Sequence, residues 1–185
     1  MNEPLQITLA DAIQLLEAQQ ILYALVGGMA VSVRGQPRAT VDVDLVIAAD
    51  VERALALAAV LDDTSFAPLF GNVSEVVERA FILPLRHRHT HVKVDLALGL
   101  SGFEKQALAR AQRVELAGTT VSIATTEDLI VMKAFAGRPQ DEQDLEALVV
   151  AQGKQLDWEY CLRVAAELGE SVGHDLITRI RNLRR

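Results

Sequence analysis

Between Val41 and Ile47 the chain reads VDVDLVI, an alternation that suits one kind of secondary structure. Side chains of a strand point to opposite faces in turn, so Val41, Val43, Leu45 and Ile47 share one face and Asp42 and Asp44 the other. The apolar face packs on a core. The opposite face then carries two carboxylates roughly 7 Å apart, which repel each other unless a cation sits between them. A second segment, VKVDLAL, repeats the arrangement, with Val92, Val94, Leu96 and Leu98 on one face and Lys93, Asp95 and Ala97 on the other. Were the two strands neighbours in one sheet, Asp42, Asp44 and Asp95 would converge on one surface.

Hard divalent cations such as Mg²⁺ take oxygen ligands of this kind, and a two-metal site holds its ions ~3.5 to 4 Å apart between shared carboxylates. The plain alternative is the solvated face of an antiparallel sheet. Such a face usually mixes lysine, threonine and glutamate, whereas this strand carries aspartates, which are poor strand formers, at successive outward positions. Just upstream, a short apolar run, ILYALV, enters Gly27-Gly28 and then a helical pattern. Bare amides at a helix N-terminus stabilise phosphate oxygens, and glycine lets them approach closely, although the same pair also makes a tight turn.

The rest of the pattern is mixed. Helical spacing covers residues 8–20, with Thr8 placed to cap, and Met29 to Arg34, which Gly35 would close in a left-handed conformation. Residues 50–62 make an alanine- and leucine-rich helix capped by Asp50. After a looser stretch, AFILPL and THVKVDLALG read as strands around RHRH, GFEKQALARA as a helix, and VELAGTTVSI as a hairpin. From Thr125 the character turns helical: a capping box (Thr125, Asp128) opens DLIVMKAFA, which Gly137 and Pro139 end. Three further helical patterns follow, at about 140–151, 157–168 and 172–183. The expected organisation is α+β, a mixed sheet flanked by helices in an α/β domain over 1–124, followed by a C-terminal helical subdomain over 125–185.

Half of the 185 residues are apolar, enough for a genuine core. The formal charge of −7 and pI near 5.1 give no general pull toward a polyanion. The basic C-terminal TRIRNLRR is read as a solvated last turn whose arginines suit the helix dipole. The single cysteine, Cys161, reads as a small core residue. No run is long enough to span a membrane and MNEPLQ lacks the basic opening of a signal peptide, so a cytoplasmic protein without membrane association is expected.

Val26-Gly27-Gly28, then thirteen residues, then Asp42-Val43-Asp44, then Val94-Asp95-Leu96, resembles the three-part signature of the DNA polymerase β-like nucleotidyltransferase superfamily. GGMAVSVRG, RATVDVDL and EDLIVMKAFAGRPQDEQDLEAL are most similar to the AbiEii-type toxin and related minimal nucleotidyltransferases, over roughly residues 20–150. The resemblance implies a nucleotidyltransferase-type fold that uses a nucleoside triphosphate, ATP among the candidates, with two Mg²⁺ ions. Gly27 and Gly28 would contact phosphates and Asp42, Asp44 and Asp95 would bind metal, Asp95 also helping to deprotonate the attacking hydroxyl. It leaves the acceptor open among tRNA, protein and small molecule, and implies a cognate antitoxin as a partner.

Lys133 lies on the apolar side of its helix, four residues from Leu129 and three from Ala136. The resemblance sends it to the nucleotide phosphates; equally, a snorkelling lysine would pack its stem and send its charge to water. Arg138, Asp141 and Asp144 resemble an Arg-Pro-Lys-Asp-x-x-Asp segment, but Gln140 stands where lysine often does, which removes one phosphate contact. Asp141 and Asp144 are read first as capping and dipole residues. His87, His89 and His91 read as an exposed hairpin, because interleaved arginines oppose a metal. Arg38 and Thr40 are candidates for substrate contact or plain loop residues.

Three other classes compete. A sugar-nucleotide glycosyltransferase would strain this length, and a haloacid-dehalogenase-like phosphatase would place its acids at the carboxyl end of a strand, whereas Leu45, Val46 and Ile47 continue beyond them. The third is a non-catalytic nucleotide-binding or interaction module on the same scaffold.

Overall fold

The computed structural model describes residues 2–100, 102–172 and 176–184. The chain runs α1 (Glu3–Ala18), β1 (Tyr23–Leu25), α2 (Gly27–Arg34), β2 (Asp42–Ile47), α3 (Val51–Ala59), a 3₁₀ turn (Leu61–Asp63), β3 (Phe66–Pro68), α4 (Val73–Ala80), β4 (Ile82–His87) and β5 (Lys93–Leu98). It continues through α5 (Gly102–Arg110), β6 (Gln112–Leu116), β7 (Thr119–Ile123), α6 (Thr126–Ala136), α7 (Pro139–Gln152), α8 (Trp158–Val172) and α9 (Leu176–Leu183). The strands form one mixed seven-stranded sheet in the order β3-β4-β5-β2-β1-β7-β6, flanked by helices, which is the expected α+β class.

The two acidic strands lie side by side and parallel. Their register pairs Asp42 with Lys93, Val43 with Val94, Asp44 with Asp95 and Leu45 with Leu96. The alternation therefore resolves as the sequence predicts: Val43, Leu45 and Ile47 are wholly buried, as are Val94 and Leu96, while the aspartates are half-buried on the other face. Val41 does not join the core face. It precedes the strand and is 80% exposed.

Local signals placed most helices. Asp50 accepts from the Arg53 amide and Thr125 from the Asp128 amide, both caps read from sequence. Gly137 closes α6 at φ 66°, and Ala117-Gly118, both at positive φ, turn the β6–β7 hairpin. Other expectations fail for identifiable reasons. Asn2, not Thr8, caps α1, its side chain accepting from the Leu5 amide, and Thr8 is buried inside the helix with its hydroxyl 2.6 Å from that of Thr90. Gly35 is not left-handed, at φ −116°; a Cβ there would press on the Ala147 backbone at 3.1 Å, so its small size serves the packing of α7. The stretch read as loose holds the three-residue β3 and the eight-residue α4, whose amphipathic pattern the sequence reading missed. Residues 173–175 of the predicted last helix lie outside the described residues.

One contiguous core runs from α1 to α9. Cys161 is wholly buried in it, and burial, with Glu127 next, pushes its thiol up to about 12. His87 contradicts the expected exposed hairpin: at the end of β4 it is buried and meets Asp11 of α1 at 3.0 Å, while His89 and His91 are exposed. Among the described residues no helix is long and apolar enough to cross a membrane.

Replacing Leu96, wholly buried beneath the acidic face, with alanine is expected to cost about 2–5 kcal/mol. A urea titration would show it as a lower midpoint at unchanged slope.

Candidate active site

β1 ends one residue before α2, and the join is pinned to the acidic strand: the Val26 amide donates to the Asp44 carbonyl at 2.9 Å. Gly27 follows at φ +63°, a conformation that favours glycine, and a Cβ there would overlap the Asp44 carboxylate. A Cβ on Gly28 would lie 2.5 Å from the Arg38 guanidinium. The bare start of α2 thus makes room for the Asp44 carboxylate and the Arg38 guanidinium, and the junction of the three forms an inner corner. It opens into a cavity of about 700 Å³, lined by Gly27, Gly28, Asp42, Asp44, Asp95 and Lys133 among others. All six residues singled out from the sequence come together there.

Register decides the electrostatics. Asp44 and Asp95 face the same side as direct partners on neighbouring strands, about 4.8 Å apart in the hydrogen-bonding direction. Asp42 sits two residues from Asp44 and accepts from the Thr40 hydroxyl at 3.1 Å. Burial first, then the charges of Asp42 and Asp95, push the Asp44 carboxyl up to about 6, against the pull of Lys133 and Lys93. Asp95 receives Lys93 Nζ on Oδ2 at 2.6 Å, while its buried Oδ1 has no hydrogen-bond partner. An orphaned carboxylate oxygen beside an acid that resists ionisation is a donor set short of positive charge, and it fits a hard divalent cation. Among the described residues no group of three or more acidic, histidine or cysteine side chains is placed to hold a metal ion as it stands. Lys93 is the neighbour holding Asp95; the sequence showed it only as a polar residue of the same face.

Lys133 neither snorkels nor stands free. Its ammonium, at the buried wall of the cavity, lies 2.9 Å from Asp141 and 2.8 Å from Asp144. Both carboxylates are buried. Asp141 does cap α7, accepting from the Arg138 amide at 3.0 Å, but its side chain also holds the Arg138 guanidinium at 2.8 Å. Burial opposes its ionisation, and the bonds from Arg138 and Lys133 outweigh that, holding the carboxyl down to about 2. Asp144 is no dipole residue: it joins Lys133 to Arg38, whose Nε lies 2.8 Å away. This correction was partly readable, since a lysine on an apolar helical face needs a buried counter-ion and Asp141 and Asp144 are the nearest aspartates downstream. Arg38 and Thr40, left open as loop or substrate residues, both line the cavity.

The sequence profile of the family described as "Nucleotidyltransferase of unknown function (DUF6036)" matches residues 4–179. Among solved structures, ANT(2″)-Ia in complex with adenylyl-2″-tobramycin is similar at TM-score 0.55 and 16% identity, over 96% of this chain and 97% of that one. The lincomycin-bound lincosamide antibiotic adenylyltransferase LnuA is similar at TM-score 0.52 and 14% identity, over 74% of this chain and 91% of that one. At these identities the likeness shows the fold alone. No curated protein sequence matches the chain.

The raised Asp44 pKa carries a stability cost. Between about pH 4 and 6 the native state holds a proton that the unfolded chain has released, so stability falls as pH rises through that window. Asp44→Asn is therefore expected to melt higher than the parent at pH 7.5 without divalent cations, by about 1–2 kcal/mol after allowance for solvent screening. The difference should close as the pH drops toward 4. Lys133→Met, which leaves Asp141 and Asp144 buried with one cation fewer, is expected to cost about 3–5 kcal/mol in a denaturant titration.

Proposed function

The chain belongs to the DUF6036 nucleotidyltransferase family, and from that premise we propose that it moves a nucleoside monophosphate from an NTP to an acceptor hydroxyl, releasing pyrophosphate. The observation that carries this reading is the in-register pairing of Asp44 and Asp95, with Asp42 beside them, opening onto the Gly27-Gly28 turn. Asp42, Asp44 and Asp95 would hold Mg²⁺, two ions in the full form of this reading, which would supply charge neutralisation for the triphosphate and the departing pyrophosphate.

The protein's own groups do the rest. Amides at the start of α2 donate to phosphate oxygens, beside the Arg38 guanidinium that the missing Gly28 side chain lets close in. Lys93, Lys133, Arg38 and Arg138 line the same cavity and offset the triphosphate charge. Lys133 and Arg38 are held in place by Asp144, so their positions are set before the nucleotide arrives. Asp95 orients the acceptor hydroxyl and takes its proton as the oxygen bonds to the α-phosphorus, while the bond from that phosphorus to the bridging oxygen breaks. The segments GGMAVSVRG and RATVDVDL support placing the chain nearer the AbiEii-type toxins, and with that a role beside a cognate antitoxin.

The test is transfer of label from α-³²P-NTP in the presence of Mg²⁺. Asp44→Ala and Asp95→Asn, shown to be folded by circular dichroism, are expected to lose at least about a hundredfold in rate. Folded variants that transfer label as well as the parent would overturn the assignment. A parent that binds NTP and Mg²⁺ but labels no acceptor would point instead to a non-catalytic module.

A further inference from the structure

Beyond the acids, the carboxylate face of the sheet changes character. Val46 and Ala97 follow Asp44 and Asp95 by two residues and pair with each other across β2 and β5, so they lie on that face about 7 Å farther along. They floor a second cavity of about 660 Å³, walled by Phe103 of α5, Met132 and Phe135 of α6 and Leu168 of α8. Ala97 and Met132 line both cavities, which sets the two side by side along this face.

Its walls are tied together. Asp128 of α6, wholly buried, accepts from the Tyr160 hydroxyl of α8, from Thr125 at 2.7 Å and from Arg110 of α5 at 3.3 Å. The Arg110 guanidinium lies 3.8 Å from the Tyr160 ring centroid. Three helices are thereby fixed around an apolar space, the construction of a preformed small-molecule site.

Charge divides the two cavities. Arg38, Lys93, Lys133 and Arg138 all line the glycine end. The ionisable side chains lining the second cavity, among the described residues, are Glu104 and Glu167. Glu167 also meets Arg163 at 3.2 Å, an exposed pair that screens part of its charge. A polynucleotide acceptor needs cations along its backbone, and the described residues that line this end include none.

We propose that the second cavity holds the acceptor, and that the acceptor is a small amphiphile: an apolar ring or chain body, a protonated amine set toward Glu104 and Glu167, and a hydroxyl reaching Asp95. This rests on the nucleotidyltransferase reading of the first cavity. In the transfer, the amphiphile's hydroxyl oxygen bonds to the α-phosphorus, its proton passes to Asp95, and pyrophosphate leaves.

Propranolol, with a naphthyl body, one amine and one hydroxyl, serves as probe beside its neutral analogue lacking the amine. Calorimetric titrations of the parent, of Leu168→Trp and of the Glu104→Gln/Glu167→Gln double variant are run with both probes and with Mg²⁺ complexes of α,β-methylene NTP analogues. Leu168→Trp, which fills the cavity from α8, is expected to weaken both probes at least about tenfold and leave the NTP analogue unaffected. The double variant should weaken propranolol roughly three- to tenfold and spare the neutral analogue. A parent that binds the NTP analogue but neither probe overturns the acceptor assignment alone, as does probe binding indifferent to Leu168→Trp. Equal labelling of RNA by the parent and Leu168→Trp does the same. A parent that binds no NTP analogue sinks the nucleotidyltransferase reading and the acceptor assignment with it.

Discussion

Three carboxylates on one face of a sheet repel one another, and much of this structure holds them together against that repulsion. The parallel register of β2 and β5 sets Asp44 directly beside Asp95. Slipping either strand by one residue would move the aspartates into the core and the valines and leucines out of it, so the buried face locks the acidic one. The energy that brings the acids together is therefore hydrophobic and comes from the opposite side of the sheet. Its residue of unrelieved strain is visible in Asp44, whose carboxyl is pushed up to about 6, and in the unpartnered Oδ1 of Asp95.

Apart from Lys93, which pairs with Asp95, the cations around the acids are held by other carboxylates. Lys133 is divided between Asp141 and Asp144, and Arg38 is held by Asp144. These buried pairs bridge α6, α7 and the segment leading into β2. A buried ion pair contributes little net stability against an apolar replacement, but it fixes position strongly, because removing one partner leaves an uncompensated charge. The positive groups are thus set around the glycine turn while the carboxylates remain short of a counter-charge. Beside that basic end lies an apolar cavity with acidic lining, so the charge of the lining changes sign along one face of the sheet.

Much of this was legible from residue patterns because the signals were local. The alternation at 41–47 and 92–98, the caps at Asp50 and Thr125, the left-handed Gly137 and the Ala117-Gly118 hairpin each depend on neighbours within a few residues. Readings failed where a distant contact overrode the local one. Gly35 looked like a left-handed cap, yet it is small because α7 packs against it. His87 looked like part of an exposed turn, yet α1 supplies Asp11 from 76 residues away. Asp144 looked like a residue at the start of a helix, yet its partners are Lys133 on the preceding helix and Arg38 106 residues upstream.

The chain's residues by themselves determined that strands here must have one greasy and one acidic surface and that a glycine turn precedes the first of them, since period and conformational freedom are properties of short segments. They also narrowed the candidates to six residues that do meet in one cavity. Strand order and register were left to the tertiary structure, because pairing Asp44 with Asp95 depends on how two segments fifty residues apart pack against common helices. The same packing alone decided where Lys133 sends its charge and where the lining turns from basic to apolar, because a buried charge is positioned by whichever partners the whole fold brings within reach.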